Sequence, residues 1–141
     1  MTDEAPQSAD AEFVDTLVQL SFAVHGIITD VAAALDMSVI QARLLGVLRD
    51  REPPMAELAR FLRLDKSSLT GLVDRAERRG LVERVASPAD GRSVLVRLTP
   101  DGAELAFTAA AEIRERVRSL ARGLTDGERR RLTALAAHLL E

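Results

Sequence analysis

The amino-acid sequence predicts a mainly α fold that carries one small β-hairpin, and three observations point to it. Aromatic residues make up only 3% of the 141, so the core has to be built from Leu, Val and Ala, a mixture that favours helices. Apolar residues recur at helical spacing, between cap and stop signals, over most of the length. One stretch departs from this: LVERVAS and SVLVRLT are rich in valine and are separated by a loop carrying Pro88, Asp90 and Gly91.

The first ten residues read as irregular. Phe13, Leu17, Leu20, Val24, Ile27, Ile28, Val31 and Leu35 then mark one long helix, to about Leu35. Ser38 suits the N-cap of a second helix, whose apolar positions are Val39, Leu44, Val47 and Leu48 and which ends before Pro53. Two prolines open a short third helix, PMAELARFLRL, as prolines in a first turn do. The fourth, DKSSLTGLVDRAERRG, has Asp65 as N-cap and Gly80 as stop. Its stripe of Leu69, Leu72, Val73 and Ala76 faces a core. At 100° per residue the opposite side centres on Ser67, Gly71, Asp74 and Arg78, flanked by Thr70, Ser68 and Arg75. Solvated helix faces favour long Glu and Lys side chains; short Ser, Thr and Gly let another surface come close. After the hairpin, Thr99 caps a fifth helix with Pro100 in its first turn, running to Gly123. Thr125 and Glu128 form a T-x-x-E capping box for a last helix, with Leu132, Leu135, Ala136 and Leu139 as its apolar positions.

A short helix, a turn, an exposed small-residue helix and a hairpin, in that order, describe a winged helix-turn-helix. The fourth helix would lie in the major groove of duplex DNA, about 12 Å wide, offering Ser, Thr and Arg to base edges. The hairpin tip would reach the DNA backbone or the minor groove, whose potential attracts arginine. Arg92 is the group inserted there, with Asp90 the carboxylate that holds the tip and aims the guanidinium by a paired hydrogen bond.

Charge agrees with a polyanion partner. The net charge is −3, but Arg60 to Arg97 holds nine basic residues against five acidic ones, leaving the remainder at −7. Lys66 reads either as a phosphate contact or as a solvated first-turn lysine. Arg84 and Arg97 read as solvated wing edges, and Arg78 and Arg79 as complements to the helix dipole. Other functions lose support. There is no cysteine, hence no disulfide, thiolate metal site or thiol redox sensor. His25 and His138 are isolated and call for no metal and no cofactor. No glycine-rich phosphate loop, Cys/His pair or G-x-S-x-G elbow suggests an enzyme. No apolar run is read as approaching the roughly 20 residues that cross a bilayer, and the start, MTDEAPQSAD, is acidic and polar, so the expected location is cytoplasmic and away from membranes.

Four motifs stand together between Gln41 and Leu105: ELA at Glu57 to Ala59, LDKSSLT at the start of the fourth helix, RRGLVER at the entry to the hairpin, and D-x-R followed by LT in Asp90, Arg92, Leu98 and Thr99. In these the sequence resembles the MarR family of bacterial transcriptional regulators. The resemblance implies a homodimer: residues 1–36 as tail and dimerisation helix, 37–99 as the DNA-binding domain, and 100–141 as C-terminal dimerisation helices. It implies a repressor on a palindromic operator, with Lys66, Ser67, Ser68, Thr70, Gly71, Arg75, Asp90 and Arg92 at the DNA. It also implies release by a small-molecule effector held near His25, Ile28, Arg43 and Val47. The alternative reading of the same elements is a winged-helix module that meets a protein surface.

Overall fold

A computed structural model of the chain describes residues 5–141, with side chains from Ser8 onward. Eight elements follow in the described residues: α1 (Ala5–Ala34), α2 (Val39–Leu48), α3 (Met55–Leu62), α4 (Lys66–Arg78), β1 (Val82–Ala86), β2 (Val94–Leu98), α5 (Pro100–Leu120) and α6 (Asp126–Leu140). The expected class, mainly α with a hairpin wing, is the observed one.

Local chemistry sets the boundaries. Ser38 accepts from the Gln41 N–H at 3.2 Å while the Gln41 side chain accepts from the Ser38 N–H at 2.9 Å, a complete capping box. Asp65 and Thr99 cap α4 and α5, and Thr125 with Glu128 closes a second box on α6. Gly80 takes φ +73° just past α4, which stops the helix and turns the chain into β1. Arg63 ends α3 in the same left-handed region, φ 54°, where a glycine would be usual.

Three expectations need correction. Helix α1 starts at Ala5, so most of the first ten residues are helical; their polar composition hid this, and residues 1–4 lie outside the described part. Pro53 and Pro54 do not sit within the first turn of α3. Pro54 is its N-cap, and the Pro53 carbonyl accepts from the Val96 N–H at 3.0 Å, with Pro54 bridging to Leu95. The pair therefore lies along the outer edge of β2, a place prolines tolerate because no N–H is required of them. Finally, Ser8–Ala34 is long and apolar enough to match a membrane-crossing helix by length and composition. The polar residues that interrupt it are mostly neutral, and Thr16, Ser21 and Thr29 return their hydroxyl protons to carbonyls of the helix itself. In the fold its last turns, through Val31 and Ala32, belong to the core.

That core lies where α2, α3, α4 and the hairpin converge. Leu44, Leu58, Leu62, Leu69, Leu72, Val73, Val82 and Val96 are all essentially without exposure. Strands β1 and β2 are antiparallel, with Val82 opposite Leu98 and Ala86 opposite Val94, so the loop runs from Ser87 to Ser93. The outer helices contrast with this. No residue of α6 is buried, and Phe13, Phe22, Phe107, Leu135 and Leu139 are exposed.

Candidate nucleic-acid interface

Helix α4 presents the face its sequence indicates. Leu69, Leu72, Val73 and Ala76 are buried, while Ser67, Ser68, Thr70, Arg75 and Arg78 are exposed and Gly71 is half-buried. Asp65 organises the first turn: it accepts from the Ser68 N–H at 2.7 Å, from the Ser67 hydroxyl at 2.9 Å and from the Ser68 hydroxyl at 3.1 Å. The Ser68 N–H, then the two hydroxyls, hold its carboxyl below the ordinary aspartate value. The Thr70 hydroxyl donates to the Lys66 carbonyl at 2.8 Å. One turn on, the Arg75 guanidinium folds back across the helix. Its Nη1 lies 3.2 Å from where a Cβ on Gly71 would stand, so the missing side chain makes its bed.

Asp74 does not remain on the open face. Arg84, from β1, donates to Asp74 at 2.6 Å and to Glu77 at 3.0 Å, tying the wing to the recognition helix. These two carboxylates hold the guanidinium pKa above its ordinary value, the Asp74 bond contributing most. The solvated role expected for Arg84 is thus replaced by a structural one. Asp74 and Glu77, three apart on a helix that leads straight into the strand bearing Arg84, were the available signal. Arg97 pairs across the hairpin with Glu83 at 2.6 Å, and Arg79 donates to the Asp36 carbonyl at 2.7 Å, closing the end of α1.

At the wing tip the sequence is half right. Asp90 does hold the tip, but through the Arg92 backbone N–H at 3.0 Å and the Ser93 hydroxyl at 3.1 Å, not through the guanidinium. An Asx-turn of this kind satisfies the carboxylate locally. Among the described residues the Arg92 side chain has no ion pair or hydrogen bond, and it is exposed beyond the loop's own bonds. Lys66 is exposed at the start of α4, likewise outside any ion pair. The structure therefore gathers Lys66, Ser67, Ser68, Thr70, Gly71 and Arg75 on α4, with Asp90 and Arg92 at the end of the adjoining hairpin.

The other predicted group lies on two helices that pack together, His25 and Ile28 on α1 and Arg43 and Val47 on α2. His25 and Arg43 are exposed on α1 and α2, and Ile28 and Val47 are half-buried. A crevice of about 190 Å³ does open between α2 and α5, but it is lined by Ala42, Leu45, Gly46, Arg49, Ala106, Ala109, Ala110 and Ile113. Its cation is Arg49. Helical phase could have found it: Ala42, Leu45, Gly46 and Arg49 recur at the three- and four-residue steps that form one stripe.

A short helix, a tight turn over Arg63 to Asp65, a small-residue helix and an adjoining hairpin define a winged helix-turn-helix. Comparison with known proteins agrees: a MarR family sequence model matches residues 35–93. The multiple antibiotic resistance protein MarR of Salmonella typhimurium is 47% identical over 49 residues, 35% of this chain, and the match spans only about a third (34%) of that relative's own length. An uncharacterised HTH-type transcriptional regulator of Bacillus subtilis, YhbI, is 31% identical over 105 residues, 74% of this chain and 68% of YhbI. Among solved structures, E. coli MarR in its apo form superposes with a TM-score of 0.72 at 28% identity, covering 89% of this chain and 97% of MarR. NadR in complex with 4-hydroxyphenylacetate gives 0.74 at 26%, covering 88% and 89%. The chain belongs to the MarR family, a family of helix-turn-helix transcriptional regulators and not of enzymes.

Proposed function

We propose that this protein binds duplex DNA as a homodimer and represses transcription by occupying a palindromic operator. Helix α4 enters the major groove, and Arg92 enters the neighbouring minor groove. The observation that carries this is the pairing of a short-side-chain face, Ser67, Ser68, Thr70 and Gly71, with a wing tip whose arginine side chain is left free because Asp90 is satisfied within the loop, by the Arg92 N–H and the Ser93 hydroxyl. Lys66 and Arg75 meet phosphate or guanine. Residues 37–99 form the DNA-reading domain, and 1–36 and 100–141 form the dimer, which places half-sites roughly 34 Å apart. Two-fold symmetry is supported by α6, a helix with no fully buried residue within its own protomer.

Regulation by a small molecule forms part of the same reading. NadR holds 4-hydroxyphenylacetate. In this chain the α2–α5 crevice, with Arg49 among its lining residues, is the space that suits a small anion; His25, Ile28, Arg43 and Val47 do not line it. A ligand there releases DNA only to the extent that it binds the released arrangement of the wings more tightly.

Two measurements test the DNA reading. The affinity for genomic fragments is expected to fall steeply with salt, with a log–log slope of about −0.9 per phosphate neutralised. A salt-insensitive interaction would instead identify a protein-binding module. Arg92→Ala is expected to cost about 1 to 3 kcal/mol of DNA binding if the tip reaches a base edge. Unchanged binding removes the tip from the interface.

Arg84→Ala probes the tie between wing and helix. Because ion pairs open to solvent contribute roughly 0–1 kcal/mol and Arg84 is only half-buried, the fold should lose little stability. DNA affinity should nevertheless drop, since Asp74 and Glu77 are left as uncompensated carboxylates beside the phosphates and the wing is no longer anchored. Paired melting and duplex-binding curves check this, and equal losses in both would assign Arg84 a purely structural part.

A further inference from the structure

The hydroxyls of α4 carry information about which bases it reads, and this inference rests on the placement of α4 in the major groove. Ser67, Ser68 and Thr70 each donate to an oxygen that has no proton to return: Asp65 Oδ1 at 2.9 Å, Asp65 Oδ2 at 3.1 Å and the Lys66 carbonyl at 2.8 Å. A carboxylate and a peptide carbonyl only accept. All three hydroxyl protons therefore point back into the helix, and only lone pairs remain for a partner outside.

No other side chain on this face competes as an acceptor. Asp74 is committed to Arg84, and α4 contains no Asn or Gln. Lys66 and Arg75 are donors alone. The bonds to Asp65 are also resistant to rotation, because a hydroxyl that turned outward would give up a charge-assisted bond to do so. Donation to a carboxylate further polarises the O–H group and makes its oxygen a better acceptor.

In the major groove the base-edge donors are the amino groups of adenine (N6) and cytosine (N4), while guanine O6 and thymine O4 accept. Every base pair offers one amino donor, with an O6 or O4 acceptor opposite it on the other strand and the purine N7 as a second acceptor. An acceptor-only hydroxyl thus reads the orientation of the pair. We infer that Asp65 is a specificity-determining residue: by holding the Ser67 and Ser68 hydroxyls as acceptors, it makes α4 select adenine or cytosine on the strand that faces them. Asp65 acts through the serines and touches no base itself.

Asp65→Asn separates this role from capping. Asparagine caps helices as well as aspartate does, and its Oδ1 still accepts from the Ser68 N–H. Its amide NH₂, however, donates where Asp65 Oδ2 accepted, so one serine hydroxyl must turn its proton outward. The experiment is selection from a randomised duplex library with the full-length wild-type protein, Asp65→Asn, Ser67→Ala and Ser68→Ala, with melting curves to confirm that each variant folds.

The serine variants identify the operator positions at which base preference disappears. At those positions the wild type is expected to favour adenine or cytosine, and Asp65→Asn to shift at least one of them toward guanine or thymine by about tenfold in affinity relative to cytosine, which has no acceptor in this groove. A motif that is the same in wild type and Asp65→Asn, or one that favours guanine or thymine at the serine-dependent positions of the wild type, overturns the inference and leaves the DNA reading standing. Failure of the wild type to enrich any sequence overturns both.

Discussion

Replacing Gly102 with alanine is expected to destabilise the protein by about 3 kcal/mol, the upper end of what overpacking costs, and to lower its melting temperature by roughly 10 °C. A Cβ at this position would lie 1.8 Å from the Leu81 carbonyl oxygen and 2.8 Å from its carbon. The obstacle is backbone and cannot rotate away. Nor can α5 simply slide outward, because its first turn is fastened to the same strand entry. The Thr99 N–H donates to the Leu81 carbonyl at 3.1 Å, the Thr99 hydroxyl donates to the Gly80 carbonyl at 2.6 Å, and the Gly102 N–H donates to the Thr99 hydroxyl at 3.0 Å. Relieving the clash breaks at least one of these and opens the joint between the wing and the long helix. Urea or thermal unfolding measures the loss, with Gly91→Ala as the comparison, since a Cβ on Gly91 meets nothing within 4 Å. Equal melting temperatures for the two variants would show that the joint yields without cost.

The position of Gly102 also shows what a sequence does and does not disclose. PDG after a threonine reads as an ordinary helix start, and so it is; that the glycine admits the carbonyl just ahead of β1 depends on a residue 21 places earlier in the chain. Legible features are those whose cause is local. The caps at Ser38, Asp65, Thr99 and Thr125 each reach only three residues ahead, and the two faces of α4 follow from its period alone. The hairpin and its tip residues follow from valine runs around a turn. What stayed hidden depends on tertiary register: Pro53 meeting Val96, Arg84 meeting Asp74, and Arg49 lining the α2–α5 crevice where Arg43 does not. At Asp90 a local partner won over the expected one, because the backbone N–H two residues on lies at a fixed distance while a guanidinium must be held there at an entropic cost.

Charging the outer face of α6 is expected to abolish the proposed dimer and, with it, tight operator binding. Leu132, Leu135 and Leu139 are 47%, 56% and 68% exposed in the protomer, on a helix that contributes no buried residue, and Phe22 on α1 and Phe107 on α5 are about 70% exposed. Isolated apolar side chains at a surface are common, but exposed Phe and Leu recurring on three outer helices mark surface meant to be covered. The substitutions Leu132→Glu and Leu135→Glu together place two carboxylates in that contact, where an unpaired buried charge is strongly unfavourable. The core of the winged domain, from Leu44 to Val96, is made without α6, so helical content and the α4 face should survive in the monomer. Sedimentation should then report one protomer. Affinity for a full palindrome should fall by roughly 10² to 10⁴, the gain that linking two half-site contacts confers, while affinity for a single half-site stays the same. A variant that remains dimeric would move the interface away from α6. One that is monomeric yet binds the palindrome as tightly as before would mean that each wing reads DNA alone, and that the long outer helices serve some purpose other than setting the distance between two copies.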